Sequence, residues 1–259
     1  MLFKGKKGVV IGVANNMSIV WGIADFLHKQ GAELAFSFQP GVLESRVRPL
    51  AESLGSPFIY PCDGADDQSM EKFFNELGNV WDSFDFIVNG MAFANKDELV
   101  GRYINTSREG FLTALNISCY SFTKSVALAE PFMKNGGSCL ALSYYGAEKW
   151  VPNYNVMGVA KAALEASVKY LAADMGPLGI RVNAISAGPI RTLAASGISD
   201  FRQILDWCQH HSPMRKNTTI EDIGKSAAYL LGDLSTNVTG EVLHVDGGYH
   251  IVGMKSLNG

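Results

Sequence analysis

The sequence has few charged residues, few cysteines and no long apolar run. Only 18% of its 259 residues are charged, against about 25% in an average soluble protein, whereas 47% are hydrophobic. A chain of this length and apolar content buries enough surface to fold without disulfides or metals, which excludes intrinsic disorder. No apolar stretch approaches the roughly 20 residues that span a bilayer. We therefore expect a soluble globular protein with no membrane role.

Charge and the N-terminal sequence argue against a nucleic-acid-binding protein and against a secreted one. The 22 basic and 25 acidic residues leave a net charge of -3, and no basic block exceeds the pair Lys6-Lys7. A surface that tracks nucleic-acid phosphates is therefore not expected. The N-terminus lacks the order of charged, apolar and small residues that marks a signal peptide, which favours a cytoplasmic location. Neither the four cysteines nor the five histidines show metal-ligand spacing, so no bound metal is predicted.

Short apolar segments alternate with longer helical ones along the chain. This pattern is typical of a parallel sheet covered by helices on both faces. We predict an α/β fold, a Rossmann-type doubly wound sheet of about seven strands, in a single domain over residues 1–259. A long helix is predicted over 110–134, and residues 187–213 are predicted to form a loop of small residues with a helix inside it. The predicted strands cover 7–13, 34–38, 58–61, 86–89, 138–143, 181–186 and 242–245.

The segment after the first strand suits a phosphate group. Gly12 permits a tight turn, Ser18 is placed to cap the next helix, and the backbone amides at a helix start bind a pyrophosphate. The literal G-x-G-x-x-G motif is absent, so an ordinary turn between strand and helix is the alternative.

Two residues after the next strands bear on the adenosine end of a dinucleotide. Gln39 stands where Rossmann proteins often have Asp or Glu to bind the ribose, and an uncharged side chain leaves NADH against NADPH open. Asp63 follows the third strand, where a carboxylate accepts a hydrogen bond from the adenine amino group or simply stabilises a solvated turn.

Tyr154 and Lys161 lie two helical turns apart on one face of a predicted Ala-rich helix. An ammonium beside a phenol stabilises phenolate character, and the phenol donates to an oxygen on which charge develops. The alternative is a buried tyrosine with a lysine whose stem packs at the surface. A second pair, Tyr145 and Lys149, has the Tyr-x3-Lys spacing, but Gly146 and the strand before it argue against a helix that would align them.

Around these residues the sequence resembles the NADH-dependent enoyl-acyl-carrier-protein reductases of bacterial fatty acid synthesis, which are divergent short-chain dehydrogenases. The resemblance runs from Gly12 to the C-terminus and is carried by the Tyr-x6-Lys pair, by residues 181–197 and by Val-Asp-Gly-Gly at 245–248. It implies reduction of trans-2-enoyl thioesters to saturated acyl thioesters with hydride from NADH, as the last step of the elongation cycle. NADPH is the less favoured cofactor. The resemblance further implies a cytoplasmic homotetramer and a substrate carried by acyl carrier protein.

The resemblance also assigns roles to individual residues. Tyr154 matches the tyrosine that hydrogen-bonds the thioester carbonyl, and Tyr144 matches a second active-site tyrosine that lines the substrate pocket with Ala94. Lys161 matches the lysine that binds the nicotinamide ribose. The remaining positions that match cofactor contacts are Gly12, Ser18, Ile19, Gln39, Asp63, Gly64, Met91, Ile190 and Thr192.

Three places depart from the family's usual pattern. Met91-Ala92 stands where the family often has Ile-Gly, Gly64 replaces the commoner Val, and Val20-Trp21 is bulkier than usual. Met91 and Ala92 bear on the shape of the cofactor and acyl pocket and on the response to inhibitors, whereas Gly64 loosens an adenine contact. None of them touches the Tyr–Lys pair.

The loop over 193–198 is rich in small residues, and we predict that it is a mobile lid over bound cofactor and acyl chain. An ordinary surface connection is the alternative. Arg202, on the helix that follows, is a candidate contact for an acidic carrier protein, or a solvated side chain.

Two other functions fit the same fold. A carbonyl reductase such as a 3-oxoacyl reductase normally carries Tyr-x3-Lys, whereas the residue four positions after Tyr154 is Gly158. A non-catalytic dinucleotide-binding protein needs no Tyr–Lys pair, although fold and binding alone never prove turnover.

Overall fold

The computed structural model describes residues 1–41, 43–192, 195 and 200–254. Its centre is a sheet of seven strands, each parallel to its neighbours. The predicted doubly wound sheet is confirmed, and the observed strands are β1 (Lys7–Ile11), β2 (Glu33–Phe38), β3 (Ile59–Pro61), β4 (Phe86–Asn89), β5 (Gly137–Ser143), β6 (Ile180–Ala187) and β7 (Val242–Val245).

Helices pack on both faces of the sheet. One face is covered by α1, α2 and α8 and the other by α3, α5 and α6, where the α-helices are α1 (Ile19–Lys29), α2 (Glu44–Ser53), α3 (Asp67–Gly78), α4 (Arg108–Leu115), α5 (Ser121–Ala129), α6 (Asn155–Met175), α7 (Phe201–His211) and α8 (Ile220–Leu231). Adjacent strand residues point to opposite faces, so Val9 packs under α3 and α5 while Val10 packs under α1 and α8. Both faces of each inner strand must therefore be apolar. In the described part of the chain, no helix has the length and hydropathy needed to cross a membrane.

The helix predicted over 110–134 is divided. It ends as α4 at Leu115, continues as a π-helical turn over Asn116–Tyr120, and resumes as α5. Inside this stretch the hydroxyl of Ser121 donates to the carbonyl of Ile117 at 2.7 Å, a bond that competes with the regular helical pattern. π-Turns are concentrated at functional sites, and this one lies beside the loop after β4.

The strand order places a crevice between β1 and β4. The order is β3-β2-β1-β4-β5-β6-β7, so the chain winds away from β1 in one direction and away from β4 in the other. Ligands of open α/β sheets bind where the order reverses, outside the carboxyl ends of the strands. Gly12 lies at this point with φ +95, and a Cβ there would lie 2.8 Å from the backbone nitrogen of Met91. Only glycine allows the two loops to approach so closely.

Candidate active site

The loop between β1 and α1 offers backbone amides to a ligand. Ser18 is the N-cap residue of α1, but its Oγ accepts hydrogen bonds from the amides of Ala14 at 3.1 Å and Asn15 at 3.0 Å. The predicted capping by Ser18 is therefore wrong in detail, because its side chain closes the loop and makes no bond to the helix amides. The first turn of α1 contains no acidic residue. Uncapped amides at the positive end of a helix favour an anion.

Gln39 and Asp63 lie at the same edge of the sheet as this loop. Gln39 follows β2 directly and is exposed, whereas Asp63 follows β3 and is half-buried. Oδ1 of Asp63 accepts from the amide of Ala65 at 2.9 Å, and the amide of Asp63 donates to Oγ of Ser69 at 2.9 Å. The carboxylate thus stabilises a turn, which is one of the two alternatives that the sequence left open.

The loop after β4 is held by Asn89, a residue that sequence reasoning did not single out. Its Nδ2 donates to Oγ of Ser125 at 3.0 Å, and its Oδ1 accepts from the amide of Met91 at 2.8 Å. The amide of Phe93 donates to Oγ of Ser118 at 3.0 Å, which ties the loop to the π-turn. An asparagine inside an apolar strand was the available signal, because a buried amide needs partners.

Met91 fills the space beside Gly64. A Cβ on Gly64 would lie 2.7 Å from Sδ of Met91 and 3.1 Å from its Cε, and Met91 packs against the apolar core on the α3 and α5 side of the sheet. Positions 64 and 91, which the sequence analysis names as separate departures, are therefore in direct contact.

Tyr144, Tyr154 and Lys161 come together where β5 ends and α6 begins. The rings of Tyr144 and Tyr154 meet edge to face, with centroids 4.9 Å apart. Nζ of Lys161 donates to the carbonyl of Leu142 at 2.7 Å, so the ammonium lies at the carboxyl end of β5. Tyr154 is 8% exposed and Lys161 6%. This burial excludes the alternative of a surface lysine.

The backbone around Tyr154 is unusual. Asn153 and Asn155, on either side of it, have φ values of 57 and 37, and Nδ2 of Asn155 donates to the carbonyl of Gly101 at 3.3 Å. Positive φ is rare outside glycine, although asparagine tolerates it best. Backbone held in such regions is concentrated at functional sites.

An apolar cluster surrounds the two tyrosines. Ala94, the predicted substrate contact on the loop after β4, packs within it, and so does Ile204 of α7. The cluster therefore joins the loop after β4, α6 and α7 around the two tyrosines. Its other members are Leu99, Phe111, Ala114, Leu115, Val151, Val156, Met157 and Ala160.

Burial shifts the pKa of both phenols and of the lysine. It raises the pKa of Tyr154, and the charge of Glu165 raises it further. Burial also raises the pKa of Tyr144, with the phenol of Tyr249 adding to the effect, yet among the described residues no well-directed hydrogen bond reaches the buried Tyr144 hydroxyl. Burial lowers the pKa of Lys161 to about 8, against the opposing charges of Cys119 and Glu165. At neutral pH the site thus contains two neutral phenols and one cation.

The competing Tyr-x3-Lys pair does not form a comparable site. Tyr145 opens a short 3-10 turn, and its ring packs against Tyr249 at 5.3 Å between centroids. Lys149 lies beyond that turn and is exposed. The expectation that no α-helix aligns these two side chains is confirmed.

The chain that leaves β6 carries Ile190 and Thr192. Ile190 is buried, and Oγ1 of Thr192 accepts from the amide of Ala195 at 3.0 Å. Apart from Ala195, the predicted lid over 193–198 lies outside the described residues. The helix predicted within 187–213 is α7, on which Arg202 is exposed.

Comparisons with known proteins agree with this geometry. Residues 12–250 match the family described as enoyl-(acyl carrier protein) reductase. The chain is 56% identical over 257 residues to enoyl-acyl-carrier-protein reductase (NADH) 1 of Rhizobium meliloti, covering 99% of this chain and 94% of that protein. It is 53% identical to the corresponding NADH enzyme of Salmonella typhimurium, covering 98% and 97%. The crystal structure of the Anaplasma phagocytophilum reductase in complex with NAD superimposes with a TM-score of 0.96 at 60% identity, covering 99% and 98%.

Proposed function

This chain belongs to the enoyl-acyl-carrier-protein reductase family, and we propose that Tyr144, Tyr154 and Lys161 form the site at which it reduces enoyl thioesters. It is an NADH-dependent oxidoreductase of fatty acid synthesis. The observation that supports the site assignment is the buried ammonium of Lys161 beside two buried phenols. A buried cation costs free energy unless it is used or paired, and here it lies in the crevice of a dinucleotide-binding sheet.

The residues fit a dinucleotide along the whole edge of the sheet. The proposed contacts follow the strand order, with Asp63 after β3, Gln39 after β2 and Gly12 after β1. Ser18 and Ile19 stand at the start of α1, where uncapped amides suit a pyrophosphate. On the other side of the crevice, Met91 follows β4 and packs against Gly64. The ammonium of Lys161 lies at the end of β5, and Ile190 and Thr192 follow β6. This order supports adenine binding near β3 and nicotinamide binding near β5 and β6.

The chain's own residues then account for the chemistry. NADH, when bound, supplies the hydride that adds to the β-carbon of a trans-2-enoyl thioester. Negative charge develops on the thioester oxygen as the enolate forms, and the Tyr154 hydroxyl donates to that oxygen. Lys161 holds its ammonium where it binds the ribose hydroxyls, and Tyr144 lines the pocket with Ala94. The α-carbon is protonated afterwards. A donor to a developing oxyanion contributes about 10²–10³ in turnover.

The decisive assay is NADH oxidation with a crotonyl thioester, repeated with NADPH and with an acetoacetyl thioester. Oxidation of NADH with the crotonyl substrate alone is the expected result. Activity confined to the acetoacetyl substrate would mean carbonyl reduction, and the assignment of the Tyr-x6-Lys pair would fall.

We further propose that the chain acts as one dinucleotide-binding domain, with residues 187–213 forming the lid over the substrate, and that it assembles as a homotetramer in the cytoplasm. Trp150 and Tyr170 are 81% and 78% exposed in the single chain, and large exposed apolar side chains support burial against further copies. Light scattering should give four times the chain mass of 28.0 kDa. A monomer mass would contradict the tetramer.

The titration of Lys161 should be visible in the pH dependence of activity. Its lowered pKa of about 8 means that the ammonium is present below that pH and is lost above it, well before an ordinary lysine titrates. We expect kcat/KM for NADH to be level up to about pH 8 and then to fall about tenfold per pH unit. The Tyr144→Phe variant should keep the same alkaline limb. A profile that stays level to about pH 10, where an unperturbed lysine titrates, would contradict the role of Lys161.

The contact between Gly64 and Met91 predicts a paired effect. Gly64→Val places a branched side chain where Met91 now lies, and such overpacking costs about 1–3 kcal/mol. Displaced Met91 enters the cofactor crevice, so we expect the dissociation constant for NADH to rise about fivefold or more, by the same principle of overpacking. Adding Met91→Ile, which shortens the side chain, should restore most of the affinity. Fluorescence titration with NADH measures both variants.

The control for this pair is Gly176→Ala, because a Cβ on Gly176 meets no atom within 4 Å. That variant should bind NADH like the wild type. Equal losses in Gly64→Val and in the double variant would show that positions 64 and 91 act independently.

A further inference from the structure

A cluster of titratable side chains lies around Glu165, where α6 meets the end of β5. Glu165 follows Lys161 by one helical turn on α6, so the two share a helix face, and Glu165 is half-buried. Ser143, the last residue of β5 and the neighbour of Tyr144, donates its hydroxyl to Oε1 of Glu165 at 2.5 Å. Glu165 therefore joins α6, the helix that carries Lys161, to the end of β5, next to Tyr144.

The cluster continues across the sheet to β7. Ser143 is in register with Ser186 of β6, and Ser186 with His244 of β7, so the three side chains share the α6 face of the sheet. Nε2 of His244 lies 2.6 Å from Oε1 of Glu148. The His244 ring also stacks on His250, with centroids 4.0 Å apart. A row of polar groups thus leads from Glu165 to exposed Glu148.

The charges around Lys161 and Glu165 come from several elements. Lys161 is faced by Cys119 of the π-turn and by Glu165, and both raise its pKa against the effect of burial. Burial and Glu148 raise the pKa of Glu165, whereas the Ser143 hydrogen bond, His244 and Lys169 lower it. Lys169 lies one turn further along α6 and is exposed. Glu165 thus interacts electrostatically both with the buried ammonium and with the exposed groups Glu148 and Lys169.

We propose that Glu165 is a positioning residue of the active site. Its hydrogen bond to Ser143 fixes the strand end from which Tyr144 projects, and its carboxylate, one helical turn from Lys161, stabilises the protonated form of that side chain. A half-buried carboxylate costs free energy unless it is paired, and here each partner leads directly to an active-site group. This inference rests on the proposed roles of Lys161 and Tyr144.

Two variants separate the two parts of the proposal. Glu165→Gln keeps the shape and removes the charge, so Lys161 should lose its proton more readily. We expect the alkaline limb of kcat/KM for NADH to move down by about 0.5 to 1 pH unit, the size expected for one nearby charge. Ser143→Ala keeps the charge and removes the hydrogen bond, so the limb should stay in place while kcat falls about threefold or more, as for one lost hydrogen bond.

The matched control is Asp174→Asn, which removes one carboxylate from an exposed position on the same helix. It should leave both the limb and kcat unchanged. An alkaline limb that is the same in Glu165→Gln, Asp174→Asn and the wild type overturns the electrostatic role of Glu165. Unchanged kcat in Ser143→Ala overturns its positioning role.

Circular dichroism shows whether Glu165→Gln folds. If Glu165→Gln does not fold, Glu165→Asp replaces it, because this variant keeps the charge but is too short to reach Ser143. Glu165→Asp should then lower kcat and leave the alkaline limb in place, as Ser143→Ala does. Wild-type kcat in Glu165→Asp would overturn the proposal. Failure of the proposed function looks different, because the wild type itself would then show no alkaline limb near pH 8. In that case the roles of Lys161 and Glu165 fall together, whereas a wild-type limb that Glu165→Gln leaves unmoved removes only Glu165.

Discussion

Lys161→Ala is expected to raise the dissociation constant for NADH by about 10- to 100-fold, the loss expected for one hydrogen bond from a charged donor. Turnover should fall as well, because the variant removes the cation beside Tyr154. Lys161 is the right residue to change because its ammonium is buried and held by a single strand carbonyl, that of Leu142 at 2.7 Å. Calorimetry with NADH measures the affinity directly.

The variant needs two comparisons. Lys169→Ala removes the same charge from an exposed position on the same helix and should bind NADH normally. Lys161→Met keeps the apolar stem in the core, so that any loss in affinity reports the ammonium and not a cavity. Unchanged NADH affinity in Lys161→Met would remove Lys161 from the cofactor site.

The strands could be predicted from the sequence because a parallel sheet is buried on both faces. The predicted ranges for β4 and β7 coincide with the observed ones, since each is a short, largely apolar run that directly follows an acidic residue, Asp85 or Glu241. The predicted helix over 110–134 is wrong in its continuity. Periodicity alone does not reveal a π-turn. The turn over Asn116–Tyr120 is accompanied by a hydrogen bond between Ser118 and the amide of Phe93, a contact between distant segments.

The same limit applies to the active site. Tyr154 and Lys161 could be predicted because both lie on one helix, where spacing determines the face. Asn89 and Ser143 were missed, since each acts through a partner on another element, Asn89 through Ser125 and Ser143 through Glu165. Local spacing contains no information on such pairs. Gly64 and Met91 likewise stand as two separate departures in the sequence, and only the structure shows that they are in contact.

Tyr154→Phe is expected to lower kcat with a crotonyl thioester by about 10²–10³-fold, the usual loss when one donor to a developing oxyanion is removed. The phenylalanine ring keeps the edge-to-face contact with Tyr144, and the bond from Lys161 to Leu142 is untouched. NADH affinity should therefore stay at the wild-type value, so that Tyr154→Phe lowers kcat alone whereas Lys161→Ala also weakens NADH binding. Steady-state kinetics and an NADH titration on the same preparation measure both quantities.

Tyr145→Phe is the control, because it removes a hydroxyl from the adjacent tyrosine, whose ring packs against Tyr249, and it should turn over normally. Tyr144→Phe gives the comparison within the site, since the Tyr144 hydroxyl is buried without a well-directed partner among the described residues. If both phenols donate to one substrate oxygen, the double variant must lose less than the product of the two single losses. If the losses multiply, the phenols act at separate points. Turnover of Tyr154→Phe within about twofold of the wild type, far below the loss of an oxyanion donor, would assign the thioester oxygen to Tyr144 instead.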